Sequence, residues 1–168
     1  ELINAYNAFT LKLILNHHEG STPPNSITDL HGGKPWDQAE WTLDGQKVSL
    51  NQIEHEMIRK EFPQEPRIHW AVVCAAFSCP PLRAEAYTPE SLEEQLVDQE
   101  RRVLLAGDPR FIRTDGDRVT QLTKLFEWYG GDFGSPWQPY VQQATGHAVD
   151  HRGFIDYDWK LNSQPNRP

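Results

Sequence analysis

The sequence predicts an α+β fold: a small, mainly antiparallel sheet packed on a buried N-terminal helix and further helices. Three observations carry this expectation. The chain opens on a long apolar segment with helical spacing, Leu2 to His18. Asp44-Gly45 and Asp115-Gly116 each sit between short β-prone runs, a hairpin signature. Arg67-Ile68-His69-Trp70-Ala71-Val72-Val73 is a short apolar run fenced by Pro66 and Pro80-Pro81, which reads as a buried strand. A length of 168 residues suits a single domain spanning residues 1–168 with a proper core.

In the first helix, at about 100° per residue, Leu2, Tyr6, Phe9 and Leu13 cover one side and Ile3, Leu11, Ile14 and Leu15 much of the other. A helix apolar nearly all round is expected to be buried. Asn4 and Asn7 lie one turn apart on it, and a buried amide must find partners. They either tie down neighbouring loops or point a donor into a site. Gly20 and Ser21-Thr22-Pro23-Pro24 end the helix.

Residues 25–45 read as loop up to the first hairpin. Ser49 with Gln52 forms a capping box that opens a second helix, Leu50 to about Phe62. Its apolar arc is Leu50, Ile53, Met57, Ile58 and Phe62, with Glu54 near the middle and His55 at the edge. A carboxylate facing a core needs a partner, and His55, His69, Arg59 and Arg67 are the candidates.

The strand expected after Pro66 runs into a loop holding both cysteines, Cys74 and Cys79, and must turn out of the sheet near Ser78. A third helix is expected from Thr88-Pro89-Glu90 to about Leu105, with Pro at N1. The second hairpin spans Phe111 to Leu122. Short helices follow at Leu125–Tyr129 and from about Pro136 to Ala144. A last, outer strand is expected over Phe154–Trp159, before a polar tail with prolines.

Composition excludes several classes. With 24 acidic against 16 basic residues the net charge is −8, and no Lys/Arg cluster supplies the basic face that nucleic-acid binding wants. No apolar run is long enough to span a bilayer. The start at Glu1 without Met reads as a chain lacking some N-terminal residues, which leaves the compartment open. Two cysteines are too few for a disulfide framework, although a short-loop bond between Cys74 and Cys79 is conceivable in an oxidising compartment. Their spacing matches neither a zinc pattern nor Cys-x-x-Cys. A metal set of His55, His69, Cys74 and Cys79 lacks close ligand pairs, so no metal and no cofactor is expected.

Several motifs, taken in order, resemble a known family. These are Asn4-Ala5-Tyr6-Asn7-Ala8, Ile53-Glu54-His55 with Ile58-Arg59, and Pro66-Arg67-Ile68-His69. Cys74-Ala75-Ala76 with Ser78-Cys79-Pro80-Pro81-Leu82 and Tyr157-Asp158-Trp159 with Leu161-Asn162 complete the set. Together they resemble a bacterial-type member of the domain-of-unknown-function family 547. The resemblance implies that the chain continues upstream, and exported relatives make an exported or periplasmic location one expectation. Some plant relatives carry Ser at the position of Cys79, which keeps Cys74 in play.

The residues are the parts of a papain- or transglutaminase-like thiol site: a thiolate, an imidazole to take its proton, an orienting carboxylate or amide, and an oxyanion donor. The function expected is a Cys-His hydrolase or acyltransferase acting on amide- or peptide-like bonds. Cys79, exposed by the turn and followed by prolines that suit a helix start, is the preferred nucleophile over Cys74. His55 is the preferred base with Glu54 orienting it, and His69 is the reserve. Asn4, Asn7, Arg67 and Ser78 are the candidate substrate contacts. The alternative is a non-catalytic module in which some of the six tryptophans and five tyrosines line a groove for a peptide or glycan. The ligand and oligomeric state are left open.

Overall fold

A computed structural model describes residues 1–163. The polar tail read from the sequence lies largely outside those residues. The described elements form an α+β arrangement of short helices with one two-stranded and one three-stranded sheet.

Helix α1 (Leu2–Asn16) buries Tyr6, Asn7, Thr10, Leu13 and Ile14 and leaves Leu11 and Leu15 at the surface. Its apolar circumference therefore splits into a core face and a solvent face. Strands β1 (Trp41–Leu43) and β2 (Gln46–Val48) form the first hairpin. Asp44 and Gly45 both take positive φ, the geometry that suits a two-residue turn to right-twisted strands. Phe9 of α1 stacks on Trp41 at 4.9 Å, which fixes the helix against this hairpin.

The capping box forms as read: Ser49 N–H donates to Gln52 Oε1 at 2.9 Å, and Gln52 N–H to Ser49 Oγ at 3.1 Å. The helix it opens is π-type over Gln52–Ile58 and becomes α2 (Arg59–Glu61). Such wide turns concentrate at functional sites, and this one carries Glu54 and His55. Glu54 faces inward, 7% exposed, while His55 stays at the edge.

The expected strand after Pro66 is instead a one-turn helix, α3 (Ile68–Ala71), followed by extended Val72. Pro66 starts the turn, and its carbonyl accepts from His69 N–H. Ile68, His69, Trp70 and Ala71 are all buried, so the run carries no face alternation to read. The segment is held from two sides. Asn7 of α1 donates its amide to Ala71 O and accepts from Val73 N–H, both at 2.9 Å. Gln99 on helix α4 (Leu92–Leu104) donates to Trp70 O and Pro81 O. We expect Asn7→Ala to leave that carbonyl and that N–H unpaired in the core and to cost about 2–4 kcal/mol. Urea unfolding measures this, and an unchanged midpoint would show that the clamp is dispensable.

Strands β3 (Ile112–Asp115) and β4 (Arg118–Thr123) form the second expected hairpin. Helices α5 (Leu125–Tyr129) and α6 (Gln138–Thr145) follow, and β5 (Ala148–Ile155) pairs with β4 in parallel. The last strand thus lies earlier than Phe154–Trp159. Beyond it the chain runs beside the cysteine loop, where Ser78 N–H donates to Asp158 O, Phe77 N–H to Lys160 O, and Asp158 N–H to Ser78 Oγ. Ala76 and Leu161 form an isolated antiparallel bridge there. These bonds turn the Tyr157 and Trp159 side chains toward the cysteines.

Candidate active site

A cavity of about 270 Å³ opens where α1, the π-turn, α3, α5 and the returning C-terminal segment meet. A larger apolar groove of about 700 Å³ lies between the start of α1 and α4. The smaller cavity is the candidate because convergent polar groups with displaced acidities lie in it. All five residues singled out as catalytic candidates line it: Glu54, His55, His69, Cys74 and Cys79.

The two thiols sit in a tight loop. Ala75 between Cys74 and Ala76 takes φ +61, which folds the chain back, and its carbonyl accepts from Asn162 N–H at 2.8 Å. Cys79 N–H donates to Ala76 O at 3.0 Å. Cys79 Sγ accepts the Cys74 N–H at 3.0 Å, and the two cysteines pack in one cluster with Val73 and Ala76. Tyr157 Oη lies 3.1 Å from Cys74 Sγ. Left-handed backbone at a non-glycine residue carries strain that the surrounding bonds must hold.

This environment separates the acidities of the pair. The Cys79 thiol, then the Tyr157 hydroxyl and the Ala76 N–H, stabilise the Cys74 thiolate enough to outweigh burial, so Cys74 titrates below an ordinary thiol. Burial pushes the Cys79 thiol well up, and its bond to Cys74 pushes it further. Cys79 is 4% exposed, and no helix begins after it at Pro80-Pro81. Cys74 is half-buried. Burial and the neighbouring sulfur keep the Tyr157 hydroxyl protonated, hence a donor.

Burial also raises the Glu54 carboxyl, against the opposing pull of His55 and a hydrogen bond from Tyr6. Glu54 and Cys74 interact electrostatically within the cavity. His55 Nδ1 lies 4.0 Å from Glu54 Oε1 and 3.1 Å from Arg59 Nη1. A guanidinium only donates, so Nδ1 accepts and the ring proton is on Nε2. Arg59 also grips Asp132 through two bonds of 2.7 and 2.9 Å.

Asp132 in turn accepts from His69 Nε2 at 2.8 Å. Although this pair has the spacing of an ion pair, burial wins over the carboxylate and lowers the His69 pKa to about 4. The imidazole is therefore neutral at pH 7, stacked on Tyr129 at 4.3 Å. Burial works to raise Asp132, but the Arg59 and His69 bonds prevail and hold it below the usual carboxylate range.

An aromatic wall covers one side. Trp128, Tyr157 and Trp159 contact one another at 4.6–5.9 Å, and Trp36 packs edge-on against Trp159. Ser26 Oγ donates to Trp159 O at 2.7 Å, which fixes that residue. Trp128 is 43% exposed, at the rim.

The four residues expected to contact substrate are engaged elsewhere. Asn4 bonds the Tyr87 backbone in both directions, and Asn7 clamps α3. Arg67 pairs with Glu65 and Glu93, and Ser78 Oγ accepts from Asp158 N–H. Sequence reasoning missed the roles of Tyr6, Tyr157 and Asp132. The first two lie inside motifs already noticed, Asn4-Ala5-Tyr6-Asn7 and Tyr157-Asp158-Trp159. Asp132, in a Gly-rich turn, carries no local signal. Among the described residues no group of three His, Cys, Asp or Glu side chains could hold a metal ion. No helix among them is long and apolar enough to cross a membrane.

Fold and cavity together define an α+β protein with a paired-thiol pocket. The family model described as "Protein of unknown function, DUF547" matches residues 2–104, more than half of the chain, and the chain belongs to this family. The match holds α1, the π-turn and the cysteine loop, while Trp128, Asp132 and Tyr157 lie beyond it. No curated protein and no solved structure matches the chain.

Proposed function

We propose that this protein is a cysteine-dependent hydrolase or acyltransferase acting on amide- or peptide-like bonds, with Cys74 as nucleophile. The observation that carries the reading is a half-buried thiol at a cavity, Cys74, with the Tyr157 hydroxyl 3.1 Å from its sulfur and Glu54 and His55 in the same lining; its acidity is displaced in the thiolate direction. A thiolate is the reactive form of cysteine, and here three donors supply it without an imidazolium partner.

In this reading the Cys74 thiolate attacks the substrate carbonyl, forming a C–S bond and an oxyanion. Tyr157, 3.1 Å from Cys74 Sγ, moves its hydroxyl bond from sulfur to that oxygen. Collapse expels the amine or alcohol, which takes the Glu54 proton, and leaves a thioester that water or a second acceptor resolves. Burial displaces the Glu54 carboxyl upward, the direction that favours its acting as a proton donor. His55, a third exposed and 4.0 Å from Glu54, borders that carboxyl at the edge of the cavity. Tyr6 orients the Glu54 carboxyl, while His69 and Asp132 hold Arg59 and Tyr129 in place around the site.

The test uses p-nitrophenyl acetate as an activated acyl donor. The expected result is a burst of nitrophenolate and an acetyl group mapped by mass spectrometry to Cys74, absent in Cys74→Ser. An adduct on Cys79, on lysine, or nowhere would overturn the assignment. The aromatic wall supports a second reading, a non-catalytic peptide- or glycan-binding pocket. Tryptophan fluorescence would then respond to a ligand equally in wild type and in Cys74→Ser.

A further inference from the structure

We propose that Cys74 and Cys79 form a redox-active pair that a small hydroperoxide converts to an intramolecular disulfide, closing the site reversibly. Four residues separate the cysteines, and the sequence spacing alone argues against exchange chemistry. The fold removes that objection. The left-handed turn at Ala75 and the Cys79 N–H bond to Ala76 O fold the second cysteine back onto the first, with Cys79 Sγ 3.0 Å from Cys74 N and both side chains packed in one cluster. Closure to an S–S bond of about 2.05 Å then asks for side-chain approach within one tight loop.

The roles of the two sulfurs follow from their surroundings. Cys74 faces the cavity and is stabilised as thiolate by Tyr157 and Cys79, so it is the sulfur that meets the oxidant. Cys79 is buried behind it with a strongly held proton and becomes the resolving thiol. In the first step the Cys74 thiolate attacks a peroxide oxygen and the O–O bond breaks. The alkoxide or hydroxide leaves and takes a proton from solvent water, and sulfur, now bearing the peroxide's OH, becomes a sulfenic acid, oxidised by two electrons as the peroxide is reduced. In the second step Cys79 sulfur attacks Cys74 sulfur and the S–O bond breaks. Water departs carrying the Cys79 proton, leaving the disulfide.

Loss of acyl chemistry on oxidation rests on the hydrolase reading above, whereas disulfide formation does not. The experiment treats the reduced chain with hydrogen peroxide and follows free thiols, intact mass and dimedone labelling. Wild type is expected to go from two free thiols to none, losing two hydrogens per chain, monomeric and fully reversed by dithiothreitol. Cys79→Ser should instead hold a dimedone-reactive sulfenic acid at Cys74, and Cys74→Ser should keep its remaining thiol. Irreversible over-oxidation of Cys74 without a disulfide, disulfides only between chains, or two persistent free thiols would each overturn the proposal. A reversible disulfide in a protein that forms no acetyl adduct would keep this inference and sink the hydrolase; an adduct without a disulfide would do the opposite.

Discussion

Cys74→Ser is expected to remove the fast alkylation of the native chain by iodoacetamide at pH 7, while Cys79→Ser leaves most of it. The remaining thiol in Cys74→Ser is buried and its proton tightly held, so its thiolate fraction at neutral pH is small. Each unit between the two acidities is worth a factor of about ten in thiolate, so the variant should keep only a small fraction of the native rate. Serine at position 79 retains a hydroxyl donor toward Cys74, which is why that variant stays reactive. Cys79→Ala and Tyr157→Phe each remove one donor, and both should slow Cys74 alkylation at pH 7 without unfolding the chain. Equal rates in all variants would show that these donors do not set the acidity of Cys74.

The second large effect is on stability against pH, through His69. Burial holds its pKa at about 4, below the ordinary value of about 6.5 that it regains when unfolded. Between those values the unfolded chain binds the extra proton, so stability rises with pH across that window and is lost on acidification. The span corresponds to about 3 kcal/mol. His69→Gln keeps a donor for Asp132 and does not titrate. Wild type should therefore lose about 3 kcal/mol more than His69→Gln between pH 6.5 and pH 4, read from urea midpoints. Glu54, raised by burial, acts in the opposite direction in both proteins and cancels in the comparison. Parallel pH profiles would show that the native imidazole binds its proton as readily as the unfolded one.

The fold class, both hairpins, the capping box and the inward-facing Glu54 were legible because each rests on local chemistry: turn residues, cap spacing and helical periodicity. The segment after Pro66 was misread as a strand because Ile68 to Ala71 are buried on every side, and a fully buried run shows no period. The strand expected over Phe154–Trp159 was displaced because Tyr157 and Trp159 serve the cavity rather than a sheet. The five proposed catalytic residues do meet at one cavity, since the motifs that hold them were recognisable in the chain. The differing states of the cysteines were not legible. They depend on Ala75 turning left-handed, on Tyr157 returning from 83 residues away, and on burial, none of which the local sequence reports. Asp132 was invisible for the same reason: its partners Arg59 and His69 are 73 and 63 residues distant.

The central claim is that Cys74 is the activated thiol of this cavity. The direct measurement is the rate of iodoacetamide modification of each cysteine in the native wild-type chain as a function of pH, resolved by peptide mass spectrometry. The account predicts that Cys74 reacts first, with a midpoint below about 8.5, while Cys79 stays protected until the chain unfolds. A Cys74 midpoint at or above that value, or earlier modification of Cys79, would contradict it.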